Sequence, residues 1–179
     1  MTARSTPTTY GSVAVSIHWI TALLIIGLLA SGTLAEESAD PATKARILSA
    51  HAPMGIAVLL LTLGRLVWWW RFDNRPAPLG GDPAWQEKTA KLVHGLLYVV
   101  VLGMAASGVG LFVLSGAGDI IFGGAPGPLP DFTTFAPRVP HGIGAKILLG
   151  LFVLHAGAAL FHHFIKRDAT LRRMWFGRG

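Results

Sequence analysis

Cysteine is absent from this chain of 179 residues. Its absence excludes structural disulfides, thiolate-bound zinc, iron–sulfur clusters and covalently attached c-type haem. Charge is also scarce, because charged residues make up 13% of the chain, whereas a soluble domain carries about 25%. Hydrophobic residues make up 52%. The composition therefore predicts an integral membrane protein, with one domain over residues 1–179 and the lipid bilayer as its surroundings.

Acidic residues are missing from four long apolar segments, which cover residues 13–35, 47–70, 92–114 and 141–165. A helix needs about 20 apolar residues to cross a bilayer, and each segment is long enough. The connections between them are polar or rich in Gly and Pro, as in FGGAPGPLP within residues 115–140. The sequence therefore predicts an all-α fold, an integral membrane four-helix bundle.

Basic residues are distributed unevenly between the two sides of this bundle. The N-terminal segment, the second connection and the C-terminal tail carry Arg4, Arg71, Arg75, Lys88, Lys91, Lys166, Arg167, Arg172, Arg173 and Arg178, whereas the other two connections carry Lys44, Arg46 and Arg138. Because Lys and Arg accumulate on the cytoplasmic side, both termini are predicted to be cytoplasmic. This bias also accounts for the net charge of +6, so nucleic acid is not an expected partner.

Two histidines share one face of the fourth segment. His141 and His155 are fourteen residues apart, close to four helical turns, and about 21 Å apart along the axis. Small residues surround them and would let a large flat group approach: Gly142, Gly144, Ala145, Gly150, Ala156, Gly157, Ala158 and Ala159. Two imidazoles on one face of an apolar helix, one in each leaflet, predict two b-type haems in the bundle core.

The depth of each histidine limits its partners. Only His51 and His141 fall at the outer level, so they are predicted to hold the outer haem. The inner level contains His18, His94, His155, His162 and His163. His155 is the better inner ligand because it shares the face of His141, and its partner is either His18 or His94. Zinc is the rival metal, but zinc sites gather four close ligands and often carboxylates, which these segments lack.

Arg65 follows His51 by fourteen residues and therefore lies on the same face, near the inner level. A cation inside a span needs an anion, and a propionate of the inner haem is one candidate, with snorkelling to the headgroups as the alternative. Lys146 is placed similarly for an outer propionate. His162 shares the face of His155 and is a candidate for contact with a quinone or a propionate. Ile120 to Phe122 are predicted to cap the outer haem.

Several motifs resemble those of the bacterial cytochrome b561 family. They are SIHWITALLI, the pair His51 and Arg65, KLVHGLLY, and HGIGAKILLGLFVLHAGAALFHHFIKRDATLRRM. The similarity covers nearly the whole chain and is greatest to small four-helix dihaem members that act as superoxide:ubiquinone oxidoreductases. The resemblance implies His18 and His155 as axial ligands of the inner haem and His51 and His141 as those of the outer haem. It also places His94 and His162 near the inner haem and the quinone.

The resemblance further implies an oxidoreductase of the bacterial inner membrane, which passes electrons from an outer donor, superoxide, to ubiquinone. Lys44, Arg46, Arg138 and Lys146 would attract an anionic donor to the outer haem. The alternative is a cytochrome b subunit that relays electrons between quinone and a partner dehydrogenase or hydrogenase. A transporter or structural protein without haem is a third hypothesis, which an optical spectrum tests directly.

Overall fold

The computed structural model describes residues 2–125 and 127–176, so Arg178, counted above among the basic residues, lies outside the described residues. Within these ranges the chain is helical and contains no strand. The helices are α1 (Ser12–Glu37), α2 (Pro41–Val67), α3 (Ala84–Ser115), α4 (Ala117–Ile121) and α5 (Arg138–Phe161), with π-helical turns at Trp68–Phe72 and His162–Lys166 and 3-10 turns at Phe132–Thr134 and Arg172–Met174. Four of them, each with its π-helical extension where one exists, are long and apolar enough to cross a membrane. The predicted all-α four-helix architecture is confirmed.

Each predicted span lies inside one long helix, but the helices extend further. α2 begins at Pro41, not at residue 47, because Asp40 caps it: the Asp40 carboxylate accepts a hydrogen bond of 2.9 Å from the Thr43 amide. Proline is favoured at the first helical position, where its missing N–H costs nothing. Residues 41–46, expected in a polar loop, are therefore helical. α3 begins at Ala84, eight residues before the apolar segment, since the polar residues 84–91 continue the helix beyond it.

The long helices pair as two hairpins. α1 packs mainly against α2 and α3 mainly against α5, and the hairpins meet through α2 and α3. A small apolar core of Val58, Val101 and Leu148 lies at mid-height between them. Large apolar side chains elsewhere remain exposed, among them Leu23 at 66% and Val99 at 67%. Such exposure along four spans is the pattern of a helix bundle whose outer surface faces lipid.

Both terminal segments meet the connection 73–83 at one end of the bundle. Asp73 is buried and accepts hydrogen bonds from the Ser5 amide (3.0 Å), the Ser5 hydroxyl (2.8 Å) and the Trp68 indole N–H (3.0 Å). From the C-terminal tail, Arg173 donates to the carbonyl of Ala77 at 2.9 Å. We call this the inner end, after its predicted orientation, and the end that carries α4 the outer end.

α4 lies at the outer end, where it packs against α2 and α3. It begins directly after Gly116, whose left-handed backbone (φ 69°) ends α3 and turns the chain. Phe122, one of the residues predicted to cover the outer site, packs against Phe112 with ring centres 6.1 Å apart and remains 57% exposed. The position of α4 is compatible with a cap, and its relation to a cofactor stays a prediction.

Candidate functional site

The histidines of the long helices collect at two levels, as their spacing predicts. The outer tier consists of His51 on α2 and His141 on α5, and the inner tier of His18 on α1, His94 on α3 and His155 on α5, with Arg65 on α2 beside them. The apolar core lies between the tiers, since Leu148 stands seven residues from both His141 and His155. Two polar sites are thus separated by an apolar layer within one bundle.

In the outer tier, the ring centres of His51 and His141 lie 6.3 Å apart and the ring planes are inclined at 66°. Each ring has a serine on its Nδ1: Ser31 lies 2.9 Å from His51 Nδ1, and Ser107 lies 3.0 Å from His141 Nδ1. These hydrogen bonds fix the ring orientations and leave the two Nε2 atoms without a protein partner in the described chain. Both rings are half-buried.

Glycine brings the backbone close to each outer ring. A Cβ on Gly32 would lie 3.4 Å from His51 Cε1, and a Cβ on Gly108 would lie 3.2 Å from His141 Cε1. Gly32 and Gly108 directly follow the two serines, so each Ser-Gly pair supplies both the hydrogen-bond partner and the space for one ring. The histidines can be identified from the sequence, whereas these two pairs cannot.

The inner tier contains three imidazoles. The ring centre of His155 lies 6.1 Å from that of His18 and 5.2 Å from that of His94. His18 and His155 are half-buried, whereas His94 is exposed. The structure therefore brings both candidate partners to His155 and distinguishes them by distance.

The ring separations allow a test of whether a haem iron fits. A metal–imidazole bond is about 2.0 Å long and the ring centre lies about 1.1 Å beyond the nitrogen, so a linear pair of axial histidines has ring centres about 6.2 Å apart. The His51–His141 and His18–His155 separations, 6.3 and 6.1 Å, match this value. The His94–His155 separation of 5.2 Å is too short. The donor set thus fits one bis-histidine iron in each tier.

Arg65 gives a second observation on the inner tier. Its Nη1 lies 3.4 Å from His18 Nδ1, and its Nε is buried without a hydrogen-bond partner among the described residues. A guanidinium is a donor only and is always charged, so a buried Nε–H without an acceptor calls for an anion. The side chain does not extend to the inner end as snorkelling would require, since it contacts His18. A propionate of an inner haem is such an anion.

A polar chain at the inner end holds His162. This buried ring receives a hydrogen bond from the Gln86 side-chain amide at Nε2 (3.0 Å) and contacts the Asp168 carboxylate through Nδ1 (2.5 Å). Lys166 also contacts Gln86 and pairs with Asp82. Burial alone would raise the pKa of Asp168, but hydrogen bonds from Thr170 and His162 lower it below its ordinary value. His162 is therefore a fixed, fully hydrogen-bonded group rather than a free interfacial side chain.

The basic residues at the outer end are partly neutralised. Arg138 forms an ion pair of 2.9 Å with Glu36, and Arg46 donates to the Thr43 hydroxyl at 3.1 Å. Lys44 lies close enough to Asp131 to help lower the pKa of that carboxyl, after the stronger effect of hydrogen bonds from Thr133. Lys146, predicted to serve an outer propionate, is exposed. The positive field at this end is weaker than the sequence alone indicates.

The four spans and the two tiers of facing imidazoles define the class: a polytopic membrane protein with the donor set of a b-type cytochrome. The chain belongs to the prokaryotic cytochrome b561 family, whose model matches residues 9–177. This membership implies haem b binding and electron transport in a bacterial membrane.

Three relatives illustrate the range of the family. The chain is 32% identical to "Cytochrome b561 homolog 1" of Escherichia coli K12, over 92% of this chain and 96% of that protein. It is 28% identical to "Probable superoxide oxidase CybB" of Yersinia pestis and 29% identical to "Cytochrome b562" of Cereibacter sphaeroides, in both cases over 92% of this chain and 94% of the relative.

Proposed function

We propose that this protein is a dihaem membrane cytochrome that moves electrons from an outer one-electron donor, superoxide, to ubiquinone at the inner end. The observation that carries the proposal is the pair of imidazole separations, 6.3 Å in the outer tier and 6.1 Å in the inner tier, each matching a bis-histidine iron. Haem b bound in each tier would supply reversible one-electron chemistry.

The chain's own residues hold and tune the two sites in this proposal. His51 and His141 would hold the haem of the outer tier, and His18 and His155 that of the inner tier. Arg65 neutralises a propionate at the inner tier, because its buried charge otherwise lacks an anion. The apolar core around Val58, Val101 and Leu148 keeps water out of the space between the tiers.

Superoxide as donor is supported by the name of the Yersinia relative and by the chemistry of the outer end. Lys44 and Arg46 remain exposed or half-buried there and attract a small anion, although Asp131 and Glu36 limit the field. Each superoxide gives up one electron and leaves as dioxygen. Two such electrons and two protons convert one ubiquinone to ubiquinol, so the overall reaction is balanced.

The inner end supplies what quinone reduction requires. His162 is buried within the hydrogen-bonded chain of Gln86 and Asp168, and His94 is an exposed imidazole next to the inner tier. We propose that His94 and His162 border the quinone and that protons reach it from the cytoplasm, with both termini on that side of the bacterial inner membrane.

Haem content tests the site. The purified wild-type protein is expected to contain two b haems per chain by the pyridine haemochrome assay, and His51→Ala or His141→Ala is expected to remove about half of the reduced absorption bands. His163→Ala, which changes a histidine outside both tiers, is the matched control. A colourless protein, or His51→Ala and His141→Ala variants with full haem content, would refute the proposed ligation.

The donor is tested separately. Stopped-flow mixing of the oxidised protein with superoxide, in liposomes that contain ubiquinone, is expected to show fast haem reduction followed by ubiquinol formation. If haem is present but superoxide reduces it no faster than it reduces a bis-histidine haem free in detergent, the donor assignment is wrong. Stoichiometric co-purification of a dehydrogenase or hydrogenase in that case would identify the protein as an electron-relay subunit.

A further inference from the structure

The hydroxyl groups of Ser31 and Ser107 each lie between a carbonyl of their own helix and the Nδ1 atom of a histidine. The direction of these hydrogen bonds bears on which nitrogen of the histidine carries the proton. A serine hydroxyl has one hydrogen to donate and two lone pairs. Ser31 Oγ donates to the Leu28 carbonyl at 3.3 Å, and Ser107 Oγ donates to the Met104 carbonyl at 3.0 Å. Both hydrogens are therefore used within the serine's own helix, one turn back.

When each hydroxyl hydrogen goes to that carbonyl, the serine is an acceptor towards the histidine. His51 Nδ1 lies 2.9 Å from Ser31 Oγ and His141 Nδ1 lies 3.0 Å from Ser107 Oγ, so in this arrangement both Nδ1 atoms carry hydrogen and donate it. The lone pair of each neutral ring is then at Nε2, where it is available to a metal.

The inner tier has the opposite arrangement. Arg65 Nη1, a donor without acceptor capacity, lies 3.4 Å from His18 Nδ1. The two tiers thus differ in the group next to the histidine Nδ1 atom, which is a neutral serine hydroxyl in the outer tier and the Arg65 cation in the inner tier.

The outer arrangement occurs twice in the chain. Ser31-Gly32 follows His18 by thirteen residues on α1, and Ser107-Gly108 follows His94 by thirteen residues on α3. In both halves the serine accepts from Nδ1 and the glycine lies beneath the same ring. A coincidental polar contact would not repeat with the same donor, acceptor and carbonyl partner in two helices.

We propose that Ser31 and Ser107 are positioning residues that fix the Nδ1–H tautomer of His51 and His141 and lower the reduction potential of the outer haem relative to the inner one. A hydrogen-bond acceptor at Nδ1, the ring nitrogen that would not bind iron, raises the basicity of the ligand and stabilises the more positive, oxidised iron. Arg65 has the reverse effect at the inner tier, because a nearby cation favours the reduced iron. Electrons placed on the outer haem therefore run downhill towards the quinone end. This inference rests on the proposed dihaem function.

Potentiometric titration of the holoprotein tests the effect on potential. Ser31→Ala and Ser107→Ala are each expected to raise the ratio of reduced to oxidised outer haem at a fixed potential by about threefold. This factor is at the low end of what one hydrogen bond contributes to an equilibrium constant. The double variant is expected to show the product of the two factors. Ser31→Thr and Ser107→Thr keep the acceptor and are expected to restore the wild-type titration.

Thr33→Val is the matched control, since the Thr33 hydroxyl donates to the Leu29 carbonyl at 3.0 Å on the same helix without facing a histidine. An unchanged outer potential in the double variant with full haem content would overturn the inference, and so would an equal shift in Thr33→Val.

A second measurement does not depend on haem. In protein prepared without haem and labelled with 15N-histidine, the nitrogen spectra of His51 and His141 are expected to show a protonated Nδ1, and Ser31→Ala or Ser107→Ala should give a mixture of tautomers for the facing ring only. A wild-type mixture of tautomers would overturn the inference even if both haems bind. A wild-type protein that never binds haem but shows the Nδ1–H tautomers would refute the proposed function and leave the tautomer assignment intact.

Discussion

Replacing His18 and His94 one at a time is the sharpest test of the inner tier, because the separation of the rings favours His18 over His94 as the partner of His155. An iron between two imidazoles needs ring centres about 6.2 Å apart, from two metal–nitrogen bonds of about 2.0 Å and about 1.1 Å within each ring. His18 is 6.1 Å from His155, and His94 is 5.2 Å from it. The His94 pair is thus short by about 1 Å, or about 0.5 Å for each metal–nitrogen bond, which is more than twice the 0.2 Å tolerance of such a bond.

We therefore expect His18→Ala to lose the inner haem and keep the outer one, with about half of the haem per chain and half of the reduced absorption. His94→Ala is expected to keep both haems. Pyridine haemochrome analysis of the purified variants gives the number, and low-temperature spectra of the remaining haem show which site it occupies. His163→Ala controls for the general effect of removing an imidazole near the inner end.

The opposite outcome, haem loss in His94→Ala with full content in His18→Ala, would refute the distance argument and make His94 the ligand. Loss in both variants would also contradict it, because it would mean that His94 supports the inner haem as strongly as a ligand does. Only retention in His94→Ala alone agrees with the measured separations.

Three further predictions concern groups around the two tiers. Arg65→Met removes a buried cation next to the inner tier and is expected to lower the inner haem potential in a redox titration, whereas exposed Arg71→Gln should not. Gly108→Ala places a Cβ 3.2 Å from His141 Cε1, whereas Gly32→Ala places one 3.4 Å from His51 Cε1. Gly108→Ala is therefore expected to reduce outer haem content more than Gly32→Ala. Gly64→Ala, with open space around its Cβ, is the control. Hydrogen bonds hold the pKa of Asp73 below its ordinary value, although burial would raise it. The anchoring of residues 2–11 is therefore complete above about pH 4 and is lost as the pH falls through the lowered pKa. Hydrogen exchange of that segment measures this loss, and an Asp73→Asn variant whose segment shows the same pH dependence would contradict it.

The spans and the faces of the histidines could be predicted from the sequence because they depend on local periodicity. Hydrophobic runs locate the helices in the membrane, and a separation of fourteen residues places His141 and His155 on one face whatever the neighbouring helices do. Helix ends were less predictable. Hydropathy does not detect the polar first turns of α3, and the capping of α2 by Asp40 depends on a single side-chain hydrogen bond.

The choice between His18 and His94 could not be made from residue spacing, because both occupy the same position near the inner end of an outward-running helix. Only distances between helices separate them. The two serines were missed for a different reason: serine is common in apolar helices, and its role appears only when the facing ring is known. The repeated pattern was hidden by unequal connections, since His51 follows His18 by 33 residues and His141 follows His94 by 47.

In our proposal, that repeated pattern accounts for the direction of electron transfer through a bundle of two similar halves. When His51 is aligned with His141, Arg65 and His155 fall at equivalent positions, because each follows its histidine by fourteen residues. At the outer tier the halves contribute equally, one histidine and one serine each. At the inner tier one half contributes a cation where the other contributes a ligand, so in our proposal His155 takes its partner from α1 and His94 is left free. In this proposal the cation raises the affinity of the inner tier for an electron, and the free imidazole supplies protons to the reduced quinone. A difference at one aligned position of the two hairpins then makes the two ends of the bundle chemically different.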